Sequence, residues 1–146
     1  MIADEIVSKF RSKDSHQMWL ATWDILQSND RLRIAELLPF LGELRLICSK
    51  VSMGGALTNN NTSAEMAFQY VENTAKGSCR CSLYPTQQIL RPQKEEKLGF
   101  VKILQSEVFK ELYEEHFWVR CESCQTKFNV REVIGGHTPW YDWKQV

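Results

Sequence analysis

Apolar positions four residues apart open the chain: Ile2, Ile6 and Phe10 fall on one face of a short helix. Trp19, Leu20, Trp23 and Leu26 repeat the spacing after Asp14 or Ser15, either of which can cap a helix start. Asp30 is a cap for a third stretch through Leu32, Ala35 and Leu38. Pro39 should interrupt that helix, because proline lacks an N–H and disfavours the helical conformation at the residue before it. Leu41, Leu44, Ile47 and Cys48 continue a helical stripe until Gly54-Gly55. Leu57–Asn61 reads as a polar loop. Thr62-Ser63-Ala64-Glu65 then has capping-box spacing, ahead of a face of Ala67, Tyr70, Val71 and Thr74 that stops at Gly77.

The period changes after Ser78. Pro85 and Pro92 bracket an extended or looping stretch, and Phe100–Leu104 alternates as a strand would. Phe117–Arg120 is a second strand running into Cys121, and Phe128–Val133 a third, closed by Gly135-Gly136. The end, His137–Trp143, reads as aromatic and irregular. The expected fold is α+β: one domain over residues 1–146, with a helical N-terminal half (1–77) packed on a small antiparallel β half (78–146).

Length and charge narrow this only a little. At 146 residues the chain can bury a core without a metal to rescue the whole fold. Its 18 basic and 18 acidic residues cancel, and neither half carries the basic excess that phosphate-backbone binding usually requires. Met1-Ile2-Ala3-Asp4-Glu5 is acidic where a secretory signal is basic, and no run approaches the ~20 apolar residues of a membrane span. Five cysteines, an odd number, fit a disulfide scaffold poorly. The expectation is a cytoplasmic protein in a reducing compartment, where paired cysteines more often hold metal.

Four of the five cysteines form two close pairs, Cys79-Arg-Cys81 and Cys121-Glu-Ser-Cys124. Each pair supplies two sulfurs from one local turn, and four thiolates close a tetrahedral coordination sphere. Cys-x-x-Cys directly after a strand is the usual knuckle, whose turn aims backbone N–H groups at sulfur. Cys-x-Cys is tighter than the common spacing. The polar neighbours Ser78, Arg80, Ser82, Glu122, Ser123 and Gln125 argue against ordinary buried thiols. A redox pair would belong at a helix start in a βαβ setting, whereas Gln125–Phe128 reads as a return into a strand. The expected site is therefore a zinc-ribbon-like set of Cys79, Cys81, Cys121 and Cys124 around a structural Zn2+. Iron stays open as the metal, and His116 or His137 stays open as a substitute for one thiolate. Cys48 reads as a core thiol.

No phosphate loop, nucleophile elbow or His-Glu-x-x-His pair is present, so no catalytic residues are assigned. Two patches are candidates for partner binding. One is the acidic run Glu107, Glu111, Glu114 and Glu115, a solvated face or a docking patch for a basic partner. The other is Trp140, Tyr141 and Trp143, which either pack in the core or form an interface. Trp19 and Trp23 read as core.

A small chain with a helical-plus-β build, no catalytic motif and the pairs Cys79/Cys81 and Cys121/Cys124 resembles the immunity proteins of bacterial polymorphic toxin and contact-dependent inhibition systems. The resemblance implies a non-enzymatic protein that binds a toxin domain and blocks its active site or its access to substrate. It carries over no functional residue, and the zero net charge departs from the acidic balance common in that class. Two other readings stand beside it. One is a zinc-ribbon nucleic-acid binder using Arg80, Arg91, Lys94, Lys97, Lys102, Arg120, Lys127 and Arg131. The other is a metalloenzyme with an open site of Cys121, Cys124 and a histidine.

Overall fold

A computed structural model describes residues 2–55, 60–87, 89–133 and 140–146. Leu57–Asn59 of the expected polar loop, Gly135-Gly136 and His137–Pro139 lie outside the described residues. The chain divides into two compact units, Met1–Ser78 and Cys79–Val146. Helices make up the first, and an antiparallel sheet dominates the second, as the α+β pattern requires.

The first unit contains α1 (Ile2–Arg11), α2 (Ser15–Gln27), α3 (Arg31–Ala35), a 3₁₀ turn over Leu38–Phe40, α4 (Leu41–Lys50) and α5 (Asn60–Ala75). Asp14 and Asp30 cap α2 and α3, their carboxylates accepting from the N–H of Gln17 and Arg33. Pro39 sits in the 3₁₀ turn that separates α3 from α4. α5 is the central element, burying Ala67, Tyr70, Val71 and Thr74, and Phe68 as well. Phe68 meets Phe10 of α1 with ring centroids 5.6 Å apart, and the Tyr70 hydroxyl donates to the Ser28 carbonyl at 2.9 Å. α5 ends in a Schellman turn: Ser78 N–H reaches the Asn73 carbonyl and Gly77 N–H the Thr74 carbonyl. Gly77 takes φ +83°, which a side chain would strain.

Three helical details differ from the expected pattern. The buried face of α2 is Met18, Ala21, Thr22, Ile25 and Leu26, while Trp19 is exposed and stacks on His16. The buried face is thus shifted toward the small Ala21 and Thr22, in a helix that packs against α1 and α5. Leu32 and Leu38 are exposed, and Ile34 and Leu37 take the core positions instead. Thr62–Glu65 lies inside α5 and does not cap it. Asn61 performs the anchoring, accepting from Met53 N–H and donating to the carbonyls of Cys48 and Val51.

The second unit is a four-stranded meander: β1 (Val101–Phe109), β2 (Glu114–Cys121), β3 (Lys127–Val133) and β4 (Trp140–Gln145), in spatial order 1-2-3-4. One face buries Phe117, Val119 and Cys121 of β2, Phe128 and Val130 of β3, and Tyr141 and Trp143 of β4. Against it lies a 3₁₀ helix over Arg80–Thr86, and α6 (Pro92–Lys97) follows. Tyr84 stacks on Trp143 at 4.0 Å and meets Phe128 edge-on at 5.6 Å. These elements correct two expectations. The stretch between Pro85 and Pro92 is helical at both ends, with Pro92 at the first turn of α6, where no N–H is missed. From Trp140 on, the aromatic end is not irregular but the edge strand β4, whose Tyr141 and Trp143 point to one face.

Candidate metal centre

All four paired cysteines converge in the second unit. Cys79 and Cys81 lie at the start of the 3₁₀ helix, Cys121 ends β2, and Cys124 is in the β2–β3 turn. Their sulfurs lie within 4.8 Å of one another, with Cys79–Cys121 and Cys81–Cys124 at 3.4 Å. A tetrahedral ion with metal–sulfur bonds of ~2.3 Å needs sulfurs about 3.8 Å apart, so four thiolates so placed could hold a metal ion with small adjustments.

Local backbone chemistry builds both turns. The Ser82 N–H and hydroxyl close the first onto the Cys79 carbonyl at 3.0 and 2.7 Å. In the second, Gln125 N–H reaches the Cys121 carbonyl and Cys121 N–H the Thr126 carbonyl. Gln125 takes φ +65° to turn the chain back into β3. The N–H groups of Ser123 and Cys124 point at the Cys121 sulfur, the expected knuckle.

Cys81 is buried, and desolvation pushes its thiol far up, with the neighbouring cysteines adding to the rise. Burial likewise raises Cys121 to about 11 against the pull of the knuckle N–H groups. Cys124 is exposed and held down at about 6, chiefly by the Thr126 hydroxyl 3.1 Å from its sulfur. A bound dication overrides such differences by deprotonating its thiol ligands outright. In metal-free, reduced protein they decide reactivity. Iodoacetamide at pH 7 should modify Cys124 first, and the rate should fall as pH drops through about 6 and thiolate is lost. Peptide mapping checks the order, and Cys81 or Cys121 reacting first would refute it.

Between the two cysteines of the first turn stands Arg80, buried with Glu95 of α6. Its Nε donates to Glu95 Oε2 at 2.8 Å and its Nη2 to Oε1 at 2.9 Å. The Tyr84 hydroxyl donates to the same Oε2 at 2.7 Å, and the guanidinium lies 3.7 Å from the Phe100 ring centroid. Sequence reading placed Arg80 among surface cations. The signal that could have moved it inward is its place between two ligands that must both face the ion.

Other expected site residues scatter. His116 belongs to the opposite sheet face, 2.9 Å from Glu114, and is not among the clustered ligands; His137 lies outside the described residues. Cys48 is half-buried on α4, its thiol raised to about 11 by burial. Of the acidic run, Glu107 and Glu111 are exposed on the β1–β2 hairpin. Glu115 is half-buried, and Glu114 pairs with His116 and Arg131. Trp140 is half-buried beneath the Arg131 guanidinium. Tyr141 and Trp143 correct the partner-binding expectation. Both are buried, and the Trp143 indole N–H donates to the Leu90 carbonyl at 2.8 Å, so they pack the core and present no surface. Arg120 and Arg131 are ion-paired with Glu122, Glu114 and Asp142.

No protein-family model matches the chain, and neither a curated protein nor a solved structure matches it. Among the described residues, no helix is long and apolar enough to cross a membrane.

Proposed function

We propose that the chain is a non-enzymatic protein-binding protein that neutralises a toxin domain, its second unit clamped by a structural Zn2+ on Cys79, Cys81, Cys121 and Cys124. The observation that carries the clamp is the completeness of the donor set: four sulfurs already meet, two from each of two turns 42 residues apart in sequence. A closed thiolate sphere leaves no position for water or substrate, which supports holding over reacting. Zinc is preferred to iron as the commoner occupant of a small closed site. The toxin-neutralising form of the reading is supported by the layout of the chain. The ion pairs of Arg80, Arg120 and Arg131 leave fewer free cations for a phosphate backbone, which favours a protein partner over a nucleic acid.

Two measurements test this. Protein purified under reducing conditions without chelator should hold about one zinc per chain, with an X-ray absorption spectrum of four sulfurs at ~2.3 Å. Co-expression with the product of the adjacent gene in the native host should relieve that product's toxicity and recover a stable complex. An oxygen or nitrogen ligand in the spectrum would revive the open-site enzyme. A harmless neighbour with no protein partner recovered would remove the neutralising role.

A further inference from the structure

β1 is an edge strand, and its distal half is solvent-exposed on both faces. Gln105, Ser106, Glu107 and Val108 are consecutive exposed residues, and among the described residues no strand pairs with the outer side of β1. The proximal half is guarded. Glu96 of α6 accepts the outward N–H of Ile103 at 2.7 Å, and the pairing with β2 is interrupted at Leu104. Beyond that irregularity, among the described residues, no comparable contact covers the edge. Natural proteins usually blunt such edges with lysine, proline or a covering element. Here Leu104, Val108, Leu112 and Tyr113, which are 46, 51, 62 and 70% exposed, line the strand and the hairpin tip instead. Tyr113 holds a left-handed conformation (φ 53°) with its ring in solvent. A bulky side chain strains that conformation, and this one gains no burial in return.

We infer that the β1 edge from Gln105 to Phe109 takes an extended, basic segment of a protein partner as a fifth strand, with Val108, Leu112 and Tyr113 as its apolar contacts. The inference rests on the protein-binding reading above and names the surface and the class of segment. Strand addition supplies main-chain hydrogen bonds, and the exposed side chains supply selection. Charge chooses the occupant. Of the four glutamates in residues 105–116, Glu114 is already engaged by His116 and Arg131, which leaves Glu107, Glu111 and Glu115 against Lys110. A second copy pairing antiparallel about this stretch would set Glu107 against Glu107, which is destabilising. A lysine- or arginine-rich strand meets opposite charge.

The test uses metal-loaded, 15N-labelled protein and two defined peptides, one alternating lysine and valine, the other glutamate and valine. The lysine peptide should shift the amides of Gln105–Phe109 and slow their exchange. It should bind at least about tenfold more tightly than the glutamate peptide at low salt. Val108→Pro, which removes a ladder donor, should abolish the shifts. Glu107→Lys/Glu111→Lys changes only exposed charge, so it tests the same point should the proline variant not fold, and it should weaken the lysine peptide. Equal binding of both peptides, or shifts confined to other elements, overturns the proposal. A photo-cross-linking residue at Val108, and in a control at Leu46 of α4, then separates the two levels in the host cell. A segment rich in lysine and arginine joined at Val108 supports the proposal; an acidic segment or a second copy there overturns it. A protein joined at Leu46 alone overturns this surface and leaves protein binding standing. No product at either position overturns both.

Discussion

Cys121→Ser is expected to abolish tight metal binding and to destabilise the second unit by several kcal/mol. The ion ties Cys79 and Cys81 to Cys121 and Cys124, closing a loop of 42 residues between Cys79 and Cys121. Chain-entropy reasoning puts such a closure at about 4 kcal/mol. The full apparent binding energy of a structural zinc, ~10–16 kcal/mol in small zinc-finger peptides, is an upper limit, because this unit has an apolar core of its own. A chelator acting on the parent should reproduce the effect. Amide exchange followed by mass spectrometry should show protection lost in Cys79–Val146, where all four ligands reside. Cys48→Ser is the control: it changes a half-buried thiol outside the cluster and should leave metal content untouched. If Cys121→Ser and Cys124→Ser melt like the parent and keep their metal, the clamp is wrong.

The sulfur cluster was legible in the sequence because its signal is local and chemical. Each pair needs only one turn, and the polar residues around Cys79 and Cys121 excluded a plain core. The helical stripes of α4 and α5 were legible for a similar reason: Leu41, Leu44, Ala67, Tyr70 and Val71 follow one period without rivals. Where rivals existed, periodicity failed. In α2, Trp19 and Trp23 outweigh Ala21 and Thr22 in hydrophobicity, yet the small pair is buried and Trp19 is exposed. In β4, tryptophans occupy both phases, so the alternation of buried Tyr141 and Trp143 with outward Asp142 and Lys144 was masked by Trp140. α6 carried all its signals, namely Pro92 at its first turn, Gln-Lys-Glu-Glu-Lys and Gly99 after its end. Reading Pro85 and Pro92 as brackets concealed them. What spacing could not reveal is pairing between distant charges, and the buried Arg80–Glu95 bridge is the main case.

Breaking that bridge should be the costliest single change outside the cysteines. Arg80→Met leaves the Glu95 carboxylate buried with the Tyr84 hydroxyl but without its bidentate cation, and such uncompensated charges cost about 3–5 kcal/mol. Glu95→Leu strands the guanidinium in the same way, although the Phe100 ring at 3.7 Å retains a cation–π contact. The double change Arg80→Met/Glu95→Leu should recover much of the loss, because two apolar side chains replace two charges that would otherwise need each other. Arg80→Lys should fall between, since a point charge cannot span both oxygens. A second readout separates anchoring of the site from general stability. Arg80 lies between two ligands, so each single change should also weaken metal binding by about 10–100-fold, as loss of outer-shell partners does elsewhere. A core truncation in the first unit, such as Phe68→Ala, which empties the contact with Phe10 and costs about 3–5 kcal/mol, should leave metal affinity near the parent value. Titration of each variant with a chelator of known affinity measures this. If Arg80→Met loses stability and keeps full metal affinity, the ion pair supports the fold and does not position the Cys79–Cys81 turn.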